Sequence, residues 1–196
     1  MPDAYSPFAG HGDLKYTIPN EFSQLSCLYA GYMGWNSQPR YPHDNRLNDF
    51  NPETIRKNTF KDLLEMYYDK KSPQIYTVFA WNEWSEGAVI EPNNKYGEEL
   101  GYAIYKAKDN IINIINFLKN SNNKFEYGNN NFYIDITKTV IINCIEFTDN
   151  NLYIYIPGGF DFRDSLFTDP LPGVHKIIKF NNLNYDEYTE IKIKIN

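Results

Sequence analysis

Cysteine is nearly absent: the 196 residues contain two, Cys27 and Cys144, each inside an apolar run. Thiols so few and so placed exclude a disulfide-built scaffold and read as buried, free side chains in a reducing compartment. Histidine is almost as scarce. Of the three present, His11 between Gly10 and Gly12 has no second histidine at ligand spacing, so no metal site is expected. Positive charge is short as well: 19 Lys and Arg against 25 Asp and Glu leave a net charge of −6. That balance argues against nucleic acid or an anionic membrane as partner. No apolar run approaches the length of a bilayer span, and no apolar segment follows Met1. A cytoplasmic chain without a signal peptide is therefore expected. Length is the last shortage, because a closed (β/α)8 barrel takes about 250 residues.

Aromatic residues, at 17%, and hydrophobic residues overall, at 42%, are plentiful and argue for a globular chain. They concentrate in one stretch. An apolar run of strand character from Ile75 to Ala80 turns abruptly into Trp81-Asn82-Glu83-Trp84-Ser85-Glu86-Gly87. Indole faces stack on the C–H faces of pyranose rings, while amides and carboxylates bind hydroxyls or move protons. Glu83 and Glu86 have opposite parity, so a continuous strand would separate them. A turn near Trp84, eased by Gly87, would bring them together. Two close carboxyl groups at a strand end are the apparatus of glycoside chemistry, with crowding and burial pushing their pKa values apart.

An earlier segment repeats the arrangement. Residues 26–34 read as a buried strand that leads into Trp35-Asn36-Ser37-Gln38-Pro39-Arg40. Between the two motifs, Asn51-Pro52-Glu53 is a helix start, and an apolar stripe runs from Ile55 to Tyr67. After the second motif, 95–120 reads as a longer helix with Leu100, Ile104, Ala107, Ile111, Ile114 and Leu118 at helical spacing. Strand, helix, strand, helix makes two βα units, with the chemistry-bearing residues at strand C-termini, where such sheets carry their sites.

The octet from Ala80 to Gly87, then Ile90-Glu91-Pro92 and Lys95-Tyr96-Gly97, resembles the signature of WbsX-type proteins. These are (β/α)8-barrel proteins of glycan biosynthesis related to the family 99 glycoside hydrolases. The resemblance covers roughly residues 26–110 and extends to Trp35, Pro39 and Arg40. It implies that Glu83 assists the sugar 2-hydroxyl in attacking the anomeric carbon, and that Glu86 acts as general acid and then base. Trp35, Trp81 and Trp84 become stacking walls, while Asn36, Arg40, Asn82 and Glu91 bind hydroxyls or fix the loop. Asn36 stands where the family usually has Asp, and an amide neither holds charge nor accepts a proton.

From 121 the pattern changes. Residues 121–131 are Asn-rich and read as a linker. Beyond it, 132–136, 139–147, 152–156, 174–180 and 189–195 read as strands. The last alternates Ile191, Ile193 and Ile195 with Lys192 and Lys194, the pattern of an edge strand guarded by lysines. Asp135, Asp161, Asp164 and Asp169 match no calcium loop and read as turn and cap carboxylates.

The expected architecture is α/β plus all-β. It comprises an irregular arm (1–25), the last two βα units of a (β/α)8-type barrel (26–120), the linker and a small β-sandwich-like module (132–196). The expected activity is hydrolysis or transfer of a glycosidic bond in a glycan or oligosaccharide, without a cofactor. The exposed strand edges of two βα units call for a second chain completing the barrel, or self-association. Two alternatives stand beside this: a catalytically degenerate fragment that binds glycans, and a β module that is itself the working part.

Overall fold

The computed structural model describes residues 29–32, 35–36, 43, 47–48, 51–70, 74–84, 88–148 and 151–195. The chain separates into two compact units, dividing between Lys108 and Asp109.

The first unit is a βαβ arrangement. Strand β1 (Tyr29–Tyr32) lies parallel to β4 (Tyr76–Phe79), with Tyr29 opposite Tyr76 and Tyr32 opposite Phe79. Helix α1 (Pro52–Tyr68) connects them. Its start follows the sequence: the Asn51 side chain accepts from the Thr54 backbone N–H at 2.9 Å, and Pro52 occupies the first turn. Its far end is held by Lys70, whose ammonium donates to the Tyr67 carbonyl at 2.9 Å. Helix α2 (Glu99–Lys119) follows the second strand and contains the division between units. Ile55 from α1 and Leu100 and Ala103 from α2 form a buried cluster, flanked by Val78, Ile90, Tyr96 and Ile104. The strand-then-helix order expected from the sequence is therefore present.

Two short antiparallel ribbons extend the parallel strands. Strand β2 (Trp35–Asn36) pairs with β3 (Leu47–Asn48), just beyond the C-terminal end of β1. Strand β5 (Asn82–Glu83) pairs with β6 (Ala88–Val89), just beyond the end of β4. Among the described residues the parallel sheet has two strands and no sheet closes on itself.

The second unit holds two antiparallel sheets. One runs β12 (Leu183–Tyr185), β11 (Ile177–Phe180), β7 (Glu126–Asn129), β8 (Phe132–Asp135). The other runs β13 (Ile191–Ile195), β10 (Asn151–Ile156), β9 (Ile145–Thr148). Strand β10 buries Leu152, Ile154 and Ile156 and leaves alternate residues half-buried, the period-2 pattern of a one-faced strand. Strand β13 sits at its sheet edge with Lys192 and Lys194 exposed, as expected.

The module is nevertheless mixed helix and sheet rather than all-β. Residues expected to begin the strand 139–147 instead form helix α3 (Thr137–Asn143), and β9 starts after it. An apolar run of this length fits either state, and burial of Val140, Ile141 and Cys144 favours the helix. Helix α4 (Phe160–Phe167) lies in a stretch that the sequence pattern assigned to no strand. The stretch read as a linker contains β7, because its Asn130-Asn131 pair is a hairpin turn: both residues have positive φ, 51° and 66°, between Asn129 and Phe132. Asn181 and Asn182, at 48° and 62°, make the same turn between β11 and β12. Gly158 is required by close approach, since a Cβ there would lie 2.2 Å from the Tyr188 carbonyl oxygen.

Candidate functional site

The parallel register sets the site. With Tyr32 beside Phe79, the residues that follow them leave the same end of the sheet. Trp35 and Asn36 enter one ribbon, and Trp81, Asn82 and Glu83 enter the other. Two motifs that are 45 residues apart in sequence thus share one edge of the fold, the C-terminal end of the strands.

The second ribbon is a hairpin. Asn82 lies opposite Val89 and Glu83 opposite Ala88, so the chain reverses between Glu83 and Ala88. Backbone bonds from Ile90 and Glu91 to the Trp81 carbonyl, 3.1 and 2.8 Å, close its base. Glu83 is therefore the last residue of β5, and the turn anticipated near Trp84 begins there. Glu86 and Arg40 lie outside the described residues.

Trp81 and Trp84 are more than half exposed, at 56% and 51%. A buried packing role for these indoles is thereby removed. Trp84 donates its Nε1–H to Glu91 Oε2 at 2.9 Å, so Glu91 fixes an indole at the hairpin. Asn93 orders the loop that precedes α2. Its side chain accepts from the backbone N–H groups of Lys95 and Tyr96 at 3.0 and 2.9 Å. Asn93 and Gly97 also exchange backbone bonds of 3.2 and 2.7 Å, with Gly97 at φ +55°. The helix accordingly begins at Glu99, four residues later than the sequence pattern placed it.

The opposite end of the strands is polar and closed. Tyr76, the first residue of β4, donates to Asp62 of α1 at 2.9 Å. Tyr29, its counterpart on β1, reaches Asp69 at 3.4 Å. Burial pushes the Asp62 carboxyl up to about 6, against the lowering effect of the Tyr76 bond. Burial and the adjacent Asp62 push the Tyr76 phenol far above its ordinary value. Sequence reading missed this pair, since Asp62 sits in α1 among residues that read as a solvated face. It anchors helix to strand at the stability end of the sheet.

In the second unit the carboxylates read as turn residues divide. Asp135 does make a turn, accepting from the Thr137 N–H at 2.9 Å. Asp164 and Asp169 instead flank the buried ammonium of Lys176, at 3.1 and 2.9 Å, and Tyr127 donates to Asp164 at 2.7 Å. Asp169 also receives the Leu171 N–H at 2.8 Å. Arg163 is fully buried and donates to the carbonyls of Pro157, Asp186 and Thr189. Cys144 is buried and free, and burial raises its thiol to about 11, so it is protonated at neutral pH. Among the described residues no group of three or more His, Cys, Asp or Glu is placed to hold a metal ion. None of their helices is long and apolar enough to cross a membrane.

Two exposed indoles, Trp81 and Trp84, and the exposed amide of Asn82 follow the C-terminal end of β4. Comparison with known families gives the narrower finding: residues 13–104, a little under half of the chain, are similar to the family described as Glycosyltransferase WbsX. The matched stretch contains both ribbons, α1 and the start of α2. No curated protein and no solved structure matches the chain.

Proposed function

We propose that the protein acts on glycosidic bonds in glycan metabolism, with Glu83 and Glu86 as a catalytic pair on the β5–β6 hairpin. The observation that carries this reading is the hairpin's position, immediately past the C-terminal end of a parallel strand within the stretch similar to the WbsX family. In parallel α/β sheets that end gathers the site, and such chemistry uses two carboxylates a short distance apart. One carboxylic acid gives its proton to the glycosidic oxygen as the C1–O bond breaks. The other carboxylate takes the proton of the attacking hydroxyl, from the sugar itself, an acceptor sugar or water. Trp35, Trp81 and Trp84 wall the sugar, Asn36, Asn82 and Arg40 bind hydroxyls, and Glu91 holds Trp84. The βα units belong, on this reading, to a barrel-type fold related to the family 99 hydrolases, completed by a second chain or copy.

Glu83→Gln and Glu86→Gln test it. Assayed on neutral oligosaccharides for bond cleavage and transfer products, each is expected to lower turnover by about 10²–10⁴-fold while keeping affinity. Wild-type turnover in both variants sinks the assignment. A second reading, glycan binding without turnover, is favoured by Asn36 in place of the family's Asp. It predicts saccharide affinity in the wild-type chain with no cleavage or transfer.

A further inference from the structure

Beside the hairpin, within the first unit, lies a groove of about 590 Å³ that no motif reading anticipated. Its aromatic lining is Trp81 with Tyr102 and Tyr105 of α2, and Ile90 and Pro92 add apolar surface. All three aromatic residues are more than half exposed, at 56%, 55% and 55%. The two tyrosine rings are nearly parallel, 14° apart, with centroids separated by 6.1 Å. Lys106 already sits over the Tyr102 ring at 4.8 Å, so Tyr105 and Trp81 offer the larger open faces.

Gly101 also lines the groove, and it is anomalous on local grounds. It lies inside the first turns of α2, where glycine weakens a helix relative to alanine. Its backbone does not adopt positive φ, and a Cβ built there would meet no described atom within 4 Å. Among the described residues, neither conformation nor packing calls for a glycine. An approaching ligand does, because the missing side chain leaves helix backbone open in the groove.

We propose that this groove is a saccharide subsite taking a neutral hexose unit of an oligosaccharide, next to the bond handled at the hairpin. The proposal rests on the carbohydrate-active reading above and deepens it. Flat aromatic faces bind the C–H faces of a pyranose, and the phenol hydroxyls and the carboxylates of Glu98 and Glu99 bind its hydroxyls. Those two carboxylates are the only charged groups among the groove's described lining residues, so anionic sugars are disfavoured there. An apolar protein partner fits less well, because protein interface cores are depleted in Glu.

The test compares the 196-residue chain with Gly101→Ala, Gly101→Leu, Tyr105→Ala and Glu83→Gln. Probes are glucose-, mannose- and galactose-based neutral oligosaccharides of one to six units, with an oligogalacturonate as anionic control. Binding is followed by calorimetry and saturation-transfer NMR. In the wild type, affinity is expected to rise with chain length and to be absent for the galacturonate. Gly101→Ala should raise the thermal midpoint yet weaken long oligosaccharides, a pairing that a purely structural role does not produce. Gly101→Leu and Tyr105→Ala should each weaken them about tenfold or more, roughly 1.4 kcal/mol per tenfold. Glu83→Gln should leave affinity unchanged. Wild-type affinity in Gly101→Leu and Tyr105→Ala, with saccharides bound normally, overturns the subsite and spares the hairpin. No neutral saccharide bound by any chain overturns both. A concentration-dependent increase in mass that Tyr105→Ala abolishes, without a saccharide response, assigns the groove to self-association instead.

Discussion

The two units solve the problem of burying a core in opposite ways. The second closes on itself: two antiparallel sheets and two short helices bury Phe125, Tyr127, Ile154, Ile178 and their neighbours, and Phe125 stacks on Phe180 at 4.3 Å. Even its charges are enclosed, with Arg163 spanning three carbonyls and Lys176 held between two aspartates. Among its described residues the first unit buries Ile55, Phe60, Leu64, Leu100 and Ala103, pairs two parallel strands, and displays Trp81, Trp84, Tyr102 and Tyr105 to solvent. Closure and display are competing uses of the same aromatic residues. The second unit encloses Phe125, Tyr127 and Phe180, whereas Trp81, Trp84 and Tyr102, which lie in the stretch similar to the WbsX family, stand in the open.

The contrast is broken most forcefully at Arg163. Replacing it by Ala leaves three carbonyls without their donor and a void in the core, a loss of about 3–5 kcal/mol. Denaturant unfolding should report that loss; an unchanged midpoint would mean that the enclosed guanidinium contributes nothing to the second unit.

A smaller effect, dependent on pH, is expected in the first unit at Asp62. Its pKa is raised in the folded chain, from 3.8 to about 6. Its contribution is therefore fully present below pH 3.8 and is lost as pH rises through about 6. Asp62→Asn cannot ionise and still accepts from Tyr76. Measured midpoints of the variant and the wild type should diverge in favour of Asn between pH 4 and 7, then run parallel. A constant offset over that range would contradict the burial of this carboxyl.

The smallest effect is local to α1. Asn51→Ala removes the bond to the Thr54 N–H and should cost about 1 kcal/mol. Asn51→Asp should retain most of the wild-type stability, which separates capping from a change of side-chain size.

Local signals were readable wherever a single residue type has a single physical use. Asn51-Pro52 starts α1 as written, the Ile/Lys alternation of 191–195 makes an edge strand, and the strand ending in Trp81-Asn82-Glu83 does turn at Trp84. Ambiguity began where one pattern serves two conformations. The apolar run around Val140 became a helix because Val140, Ile141 and Cys144 could then be buried together. Asn-rich 121–131 became half hairpin because Asn tolerates the positive φ of a tight turn. Arg163 and Lys176 were passed over, since a cation is buried only when distant partners meet it: carbonyls from 157, 186 and 189, carboxylates from 164 and 169.

The candidate site divides along the same line. Sequence alone determined its ingredients, the indoles, amides and carboxylates at two strand ends, because side-chain chemistry is carried by each residue individually. Tertiary structure decided which of them meet. The β1–β4 register brings Trp35 and Trp81 to one end of the sheet, the hairpin hands Trp84 to Glu91, and α2 sets Tyr102 and Tyr105 in one groove with Trp81. Proximity between residues far apart in the chain depends on packing and pairing, which no local pattern encodes.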